Sequence, residues 1–572
     1  MSRLAIRASL IFYPAASVDK IEWVAGLSNP KALPCDEGAI RSSASVPACA
    51  ARRSWVLAAA VLGSTLAFVD ESVVNVALPR LESDLHTSLA AMQWVINAYT
   101  LCMSALLLIG GAAGDQFGRR RIFVSGVVLF AVASLGCGLA ANVSLLVAAR
   151  AIQGAGAALL VPCSLALIGA AFDEKDRGAA IGIWSGAAAI AAGAAPLLGG
   201  WLVDHWSWRA IFLINPLLAI PTVWIALGKV PESRDPNAPP VIDWRGALLA
   251  FAGLGCLVYG LISSSELGWR DPVVLTSLAA AMLLLLGFLL AERRSRWPMM
   301  PLELFRSRMF CGVNLLTLLL YGALGGAFFF LPFLLIQAQG YSATATGAVY
   351  LPFTLVLGAL SRWSGGLLDR FGARAPLIAG PTLTALGFLC LAAGRPYWAT
   401  LLSMTLLGFG MAITVAPLTA SVLNAVPAHR TGVASGINNA VAAVGSLLLI
   451  AVLGSVALGS FDRSLDRRLA AAHATPSVTR TVRAARGAFV VPAMPAELSA
   501  EERQLAHSIV ADSLAATVRI ALWIAAALAL AGALSAALTV RRDDSLAKRA
   551  LREGEAPSRE QPQGLASRGN PM

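Results

Sequence analysis

Charged residues are scarce in this chain: Asp, Glu, Lys and Arg make up 13% of 572 residues, against 57% hydrophobic, and mean hydropathy is +0.71. That balance excludes an ordinary water-soluble globule. No G-x-x-x-x-G-K-[ST] occurs, so no nucleotide-hydrolysing motor of that type lies in the chain. Eight cysteines are present without a C-x-x-C, six of them inside apolar runs, which points away from disulfides and from a zinc site. The five histidines form no ligand cluster. The leader 1–53 has only a short apolar run, Leu4–Ala16, broken by Arg7 and Pro14, and no cleavage pattern. Net charge is +12, but the arginines are scattered among short connections and do not form one basic face. That argues for membrane topology and against a nucleic-acid partner.

What the chain does have is long uncharged runs, each near the ~20 residues a helix needs to cross a bilayer. They fall at 55–78, 91–112, 122–140, 143–170, 178–202 and 209–229, then 245–264 and 271–291, then 309–337, 344–367, 374–393, 397–424, 432–459 and 516–540. The pattern G-x-x-x-D-x-x-G at Gly111, Asp115 and Gly118 recurs at Gly365, Asp369 and Gly372, an offset of 254. The same offset relates Gly154 to Gly408, Gly156 to Gly410, Gly178 to Gly432 and Gly182 to Gly436. Glycine is only 51 of 572 residues, so repeated coincidence at one spacing implies duplication. The expected fold is therefore all-α and polytopic. Two six-helix repeats (54–230 and 309–540) flank two inserted helices within 231–308, fourteen spans in total.

Short connections on the side of Gly111–Arg121, with Lys229 at the edge of one, carry sixteen Lys and Arg. The opposite ones carry only Arg80, Arg209, Arg270 and Arg395. The excess of basic residues marks the Gly111–Arg121 side as cytoplasmic, and an even span count places both termini there. The tails 1–53 and 541–572 are expected to be disordered. Residues 460–515 are expected to form one long external loop, with a capping box at Ser499 and Glu502 opening a helix.

Ionisable groups inside a span cost at least ~2.5–3.5 kcal/mol, so they call for a function. Asp70 and Glu71 lie about two-thirds along the first run, in FVDESVVNVALP, with Asn75 one turn on. In RAIQGAGAALL, Arg150, Gln153 and Gly154 share one helix face. The repeat positions of Arg150 and Gln153 are Met404 and Leu407, so this polar pair exists in the first half only. Asp70, Glu71 and Arg150 are the candidate proton-coupling groups, and Asn75, Gln153 and Gly154 the candidate lining of a substrate cavity. Gly111, Asp115, Gly118, Arg119 and Asp369 are the candidate gating residues. Asp115 is expected to dock on the positive helix end at Thr431–Gly436 in the opposite half. The fifth run, GIWSGAAAIAAGAAPLLGGW, is built for close packing, with a kink expected from Pro196, Gly199 and Gly200.

These motifs resemble those of the major facilitator superfamily, and specifically its fourteen-span drug:proton antiporter branch. VDESVVNVALP is similar to that branch's first-span signature, with Ser72 where Thr is usual. GAAGDQFGRRR resembles its loop between the second and third spans, and RAIQGAG its fourth-span motif. The fifth run resembles the antiporter motif at Gly182, Pro196, Gly199 and Gly200, with Ala191 and Ala195 replacing two glycines. The resemblance implies two rocking bundles around a central cavity in the cytoplasmic membrane, with small amphipathic or drug-like substrates exported in exchange for protons. It implies no enzymatic activity and no cofactor beyond the proton gradient. Partners are then the substrate, protons and the lipid bilayer, with any accessory envelope partner unassigned. A carrier for one dedicated metabolite, or a non-transporting sensor or scaffold, are the competing readings of the same residues.

Overall fold

The computed structural model describes residues 50–235, 243–296, 298–393, 396–427, 430–487, 489, 495 and 498–540. Apart from residues 50–53, both expected disordered tails lie outside these residues. The first half comprises α1 (Ala50–Asp84), α2 (Leu89–Phe117), α3 (Arg119–Gly138), α4 (Val143–Ala171), α5 (Glu174–His205) and α6 (Ala210–Lys229). The inserted pair is α7 (Trp244–Leu267) and α8 (Pro272–Arg294). The second half comprises α9 (Arg308–Pro332), running on as a π-turn Phe333–Ala338, then α10 (Ala343–Ala348) and α11 (Leu351–Phe371). It continues with α12 (Arg374–Ala393), α13 (Tyr397–Asn424), α14 (Thr431–Ala471), α15 (Pro476–Arg483) and α16 (Ala500–Thr539). Fourteen stretches among the described residues are long and apolar enough to cross a membrane, the pair α10–α11 supplying one of them.

Local chemistry starts many of these helices. Asn142 accepts the Leu145 N–H at 2.9 Å ahead of α4, Asp271 accepts Val273 N–H at 2.8 Å ahead of α8, and Ser342 accepts Ala345 N–H at 3.1 Å ahead of α10. Each satisfies an orphan donor that lipid could not. The halves then pack alike. Helix α4 lies against α2 and α3 as α13 lies against α11 and α12, and α1 lies against α5 and α6 as α9 lies against α14 and α16.

Glycine permits these approaches at matched positions. A β-carbon on Gly154 would overlap the Tyr99 carbonyl, and one on Gly408 would stand 2.7 Å from the Phe353 carbonyl. Gly156 meets Phe130, and Gly410 meets Thr384. All four pairs keep the 254-residue offset.

The halves meet along two seams. On one, the Gln93 amide donates to the Ile450 carbonyl, joining α2 to α14, and α7 covers this seam from outside with Ser264 bonded to Ser455 at 2.9 Å. On the other, α5 meets α10 and α11: Gly200 packs on the Ala343 carbonyl, Gly347 on the Pro196 carbonyl, and Gly193 on Thr354 of α11. Asp204 caps α10, accepting from Ala343 N–H at 3.1 Å and Thr344 N–H at 2.7 Å. This end, opposite the Gly111–Arg121 connection, is closed. Toward the other end of α5, nothing outside the helix's own backbone comes, among the described residues, within 4 Å of a β-carbon position on Gly178, Gly182 or Gly186. Helix α5 runs through Pro196 without interruption.

The described residues of 460–515 are mostly helical: the helix opening at Ser499 was expected, whereas the helices over 460–471 and 476–483 were not. Helix α14 continues to Ala471 and α16 begins at Ala500, behind a capping box in which Ser499 and Glu502 accept from each other's N–H at 3.1 Å. At about 1.5 Å per residue each helix is about 60 Å long, twice the hydrocarbon core of a bilayer. Hydropathy ended both spans where polarity began, whereas helical hydrogen bonding continues beyond the lipid. Between them Phe489 stacks on Phe461 at 4.9 Å, and its N–H donates to Glu82 of α1 at 2.9 Å.

Candidate functional site

Five helices of the first half converge on Asp70. It lies on α1, is fully buried, and forms an ion pair with Arg150 of α4, itself 1% exposed. Gln153, one turn beyond Arg150, donates to Asp70 Oδ1 at 2.7 Å, and Asn215 of α6 donates to the same oxygen at 2.9 Å. Oδ2 receives the Arg150 guanidinium. Behind them the Ser134 hydroxyl of α3 accepts from Asn215 at 2.9 Å and from Gln153 at 3.2 Å, while it donates to the Phe212 carbonyl at 2.8 Å.

Arginine is held on every side. Its Nε donates to the Val95 carbonyl of α2 at 3.1 Å, one terminal nitrogen donates to Gln153 Oε1 at 2.8 Å, and its plane lies 4.3 Å from the Tyr99 ring centre. A buried ion pair is costly unless further hydrogen bonds engage its two members, and these bonds engage both. The set brings a carboxylate, a guanidinium, two amides and a hydroxyl into one connected network spanning α1, α3, α4 and α6.

Glu71, next in sequence, points elsewhere. It is exposed although it sits in the middle of α1, and no hydrogen bond or ion pair from its carboxylate is found among the described residues. Asn75, half-buried one turn on, donates to the Glu71 carbonyl at 3.5 Å. Gln153 and Gly154 do not line an open cavity in this conformation. Gln153 is fully buried in the Asp70 network, and Gly154 lies under the Tyr99 carbonyl, where only a glycine lets α4 and α2 touch.

The connection expected at 113–121 is a single residue. Helix α2 runs to Phe117 and α3 starts at Arg119, joined by Gly118 at φ 116°, a conformation that favours glycine. The close helix approaches come at Gly110, under the Ala158 carbonyl, and at Gly114, where a β-carbon would stand 2.6 Å from Cys163 Sγ. Gly111 instead stands in ordinary contact with Pro162 at 3.7 Å.

Asp115 bonds to Arg119 at 2.8 Å across the joint, and its carbonyl accepts from Asp235 N–H. It is thus engaged within its own half in this conformation, because a guanidinium four residues away outcompetes a distant helix end. The acid that meets a helix start here is Glu232, beyond α6: it accepts from Arg120 N–H at 3.0 Å and Arg121 N–H at 3.3 Å, capping α3. The side chain of Asp369 lies outside the described residues. Of the fifth-run residues, Pro196 and Gly200 lie in the closed seam, Gly199 packs on Val73 of α1 within the first half, and Gly182 lies toward the other end of α5.

Sequence reading missed Asn215, Ser134, Tyr99 and Glu232. Asn215 was the one visible in principle, a lone amide before Pro216 in the apolar run of α6. The other three are ordinary residues until a neighbouring helix faces them.

Two halves of six spans, joined by an inserted pair and with a buried ion network in the first half, define a polytopic membrane carrier. A profile of the Major Facilitator Superfamily matches residues 60–450, and the chain belongs to that family. It is 37% identical to the multidrug resistance protein Stp of Mycobacterium tuberculosis over 72% of this chain and 77% of that one. It is also 37% identical to the tetracenomycin C resistance and export protein of Streptomyces glaucescens, over 70% and 76% of the two chains. Among solved structures, a bacterial homologue of the lysosomal transporter Spinster, captured inward-facing and unoccupied, matches with a TM-score of 0.57. That match holds at 17% identity over 85% of this chain and 97% of that one. A D-xylose–proton symporter matches with a TM-score of 0.56 at 16% identity, over 86% and 98% of the two chains. At such identities the structures speak for the fold alone.

Proposed function

We propose that the chain exports small amphipathic, drug-like molecules across the cytoplasmic membrane in exchange for protons. The names of its relatives support drug resistance and export as the biological setting. The observation that carries the coupling mechanism is the buried Asp70–Arg150 pair, with both carboxylate oxygens of Asp70 engaged.

The basic residues of the Gly111–Arg121 side orient that side toward the cytoplasm. With the opposite end closed by α5 and α10, the conformation described is then the inward-facing one. Both Asp70 oxygens are occupied here, so a proton can be taken up only when helices α1 and α4 part. Movement between inward- and outward-facing states makes and breaks this set, and the proton follows. Glu71, exposed and without a hydrogen-bond or ion-pair partner for its carboxylate among the described residues, is the second acid on α1 available to a proton or to a cationic substrate.

Proton release from inverted vesicles, followed by a pH-sensitive dye, tests the reading. Adding aromatic antibiotics of the kinds named for the relatives should release protons from vesicles carrying this protein and not from empty ones. Folded, abundant protein that moves no protons with any such compound would overturn it.

A further inference from the structure

At the closed end, α5 holds the start of α10 over successive turns. A β-carbon on Gly347 would overlap the Pro196 carbonyl, and one on Gly200 would overlap the Ala343 carbonyl. One turn further out, in the last turn of α5, Asp204 takes the other side of the same residue. Its Oδ1 accepts from Ala343 N–H at 3.1 Å. Its Oδ2 accepts from Thr344 N–H at 2.7 Å and from the Thr344 hydroxyl at 2.6 Å. The Ser342 hydroxyl donates to it as well. A carboxylate of the first half thus fills donors that a helix of the second half leaves open at its start.

These bonds are the whole of its hold. Asp204 forms no ion pair among the described residues. His205 beside it bonds the Trp201 carbonyl and stacks on that ring. Arg80 of α1 is taken up by Asp84 at 3.1 Å, and Arg209 ahead of α6 by the Ala140 carbonyl at 3.1 Å. Helix α10, and α11 as far as Ala359, carry no charged residue. Removing the charge on Asp204 therefore leaves no cation unpaired.

Position decides what the contact can do. Asp204 is exposed, so water can replace it at the Ala343 and Thr344 N–H groups when the helix ends part. Such a bond holds the seam without making its opening prohibitive. The other seam at this end relies on neutral groups, the Gln93 amide on the Ile450 carbonyl and Ser264 on Ser455. Glu82 of α1 accepts the Phe489 N–H there through one oxygen only.

We infer, on the orientation given above, that Asp204 is a clasp on the outer mouth and sets the balance between the inward- and outward-facing states. Its charge meets the positive start of α10 only while the mouth is shut. Opening outward breaks that contact and leaves the aspartate in water. The clasp thus favours the inward-facing state by the difference between the two settings. Asp204 is a positioning residue: it governs when the Asp70 set is reached from outside and carries no proton across.

Hydrogen exchange on full-length protein in nanodiscs reads both ends of α5 at once and needs no substrate, so its outcome is separate from that of the vesicle assay. Peptides covering 340–350 report the clasp, and peptides covering 178–186 report the opposite, open end. Asp204→Asn should speed exchange at 340–350 about fivefold, the worth of one charge at a helix start. It should also slow exchange at 178–186, because the two ends open alternately. Should Asp204→Asn fail to fold, Thr344→Val removes the hydroxyl donor alone and should move both stretches the same way by about twofold.

Faster exchange at 340–350 with 178–186 unchanged would make Asp204 a local cap and overturn the proposal. So would any other pattern in folded Asp204→Asn or, in its place, Thr344→Val.

Discussion

The two halves share a backbone and differ in what they bury. Gly154 on Tyr99 and Gly408 on Phe353 are the same contact 254 residues apart. Around it the first half buries Asp70, Ser134, Arg150 and Gln153, where the second has Leu324, Phe388, Met404 and Leu407, all of them buried. The polar residues nearest in character, Asn314, Thr317 and Asn438, form a small neutral set, with Asn438 donating to Thr317 at 2.8 Å. Duplication fixed how the helices pack. It did not require the ion network, since the second half keeps the same packing with hydrocarbon in its place. The network is therefore the part of the first half to be explained by function.

Breaking that asymmetry should give the largest effects. Arg150→Ala leaves Asp70 buried and unpaired, a loss of roughly 3–5 kcal/mol, and should abolish transport along with much of the folded protein. Met404→Ala, its counterpart, leaves a cavity costing ~2–5 kcal/mol but should keep transport pH-driven in whatever protein folds. Thermal unfolding read beside vesicle transport separates the two. If Met404→Ala also uncoupled transport, the asymmetry would carry no functional meaning.

Copying the second half into the first sharpens the contrast. The triple variant Asp70→Leu, Arg150→Met, Gln153→Leu exchanges the buried pair for hydrocarbon, which is often neutral or stabilising by 1–4 kcal/mol on the order of magnitude seen elsewhere. Asn215 and Ser134 then lose a partner, at about 1–3 kcal/mol, so the net change in stability should be small. We expect normal abundance and no proton-coupled transport. An uncoupled but abundant protein in a membrane-fraction blot is the decisive combination.

Shared packing predicts equal costs. Gly154→Ala and Gly408→Ala each push a methyl onto a facing carbonyl, and each should destabilise by roughly 1–3 kcal/mol. Unequal losses in thermal unfolding would mean that the two contacts are not equivalent.

The smallest effects belong to the joint at Gly118. Glu232→Gln removes the charge capping α3, at about 0.3–1 kcal/mol. Asp115→Asn breaks a part-exposed pair one turn apart, at about 0.3–0.5 kcal/mol, and abundance should be near normal while transport falls. Collapse of abundance in Asp115→Asn would make it a folding residue and remove it from the gate.

Much of this was legible beforehand because membrane helices announce themselves by length and hydropathy. Duplication was visible in the glycine spacing, and at two of the pairs, Gly154 with Gly408 and Gly156 with Gly410, the physical reason is a close helix contact that both copies retain. Asp70 and Arg150 stood out because lipid makes buried charge costly. Partners were harder. Ser134, Tyr99 and Glu232 gain meaning only from how neighbouring helices are rotated, which no local period encodes. The extension of α14 beyond residue 459 and the short helix α15 were hidden for a different reason. Outside the bilayer, a polar helix and a polar loop have similar hydropathy, and only the capping residues Ser499 and Glu502 distinguished them.

The central claim is that the proton is handled by the set around Asp70, and Asp70→Asn tests it most directly. Asparagine is close to isosteric, still accepts through one oxygen, and no longer exchanges a proton. Substrate movement is measured in inverted vesicles with and without an imposed pH gradient. The account predicts that the variant exchanges substrate down its own gradient yet accumulates none when the pH gradient is applied. Full pH-driven accumulation by Asp70→Asn would contradict it and place the proton on another group, Glu71 first among them.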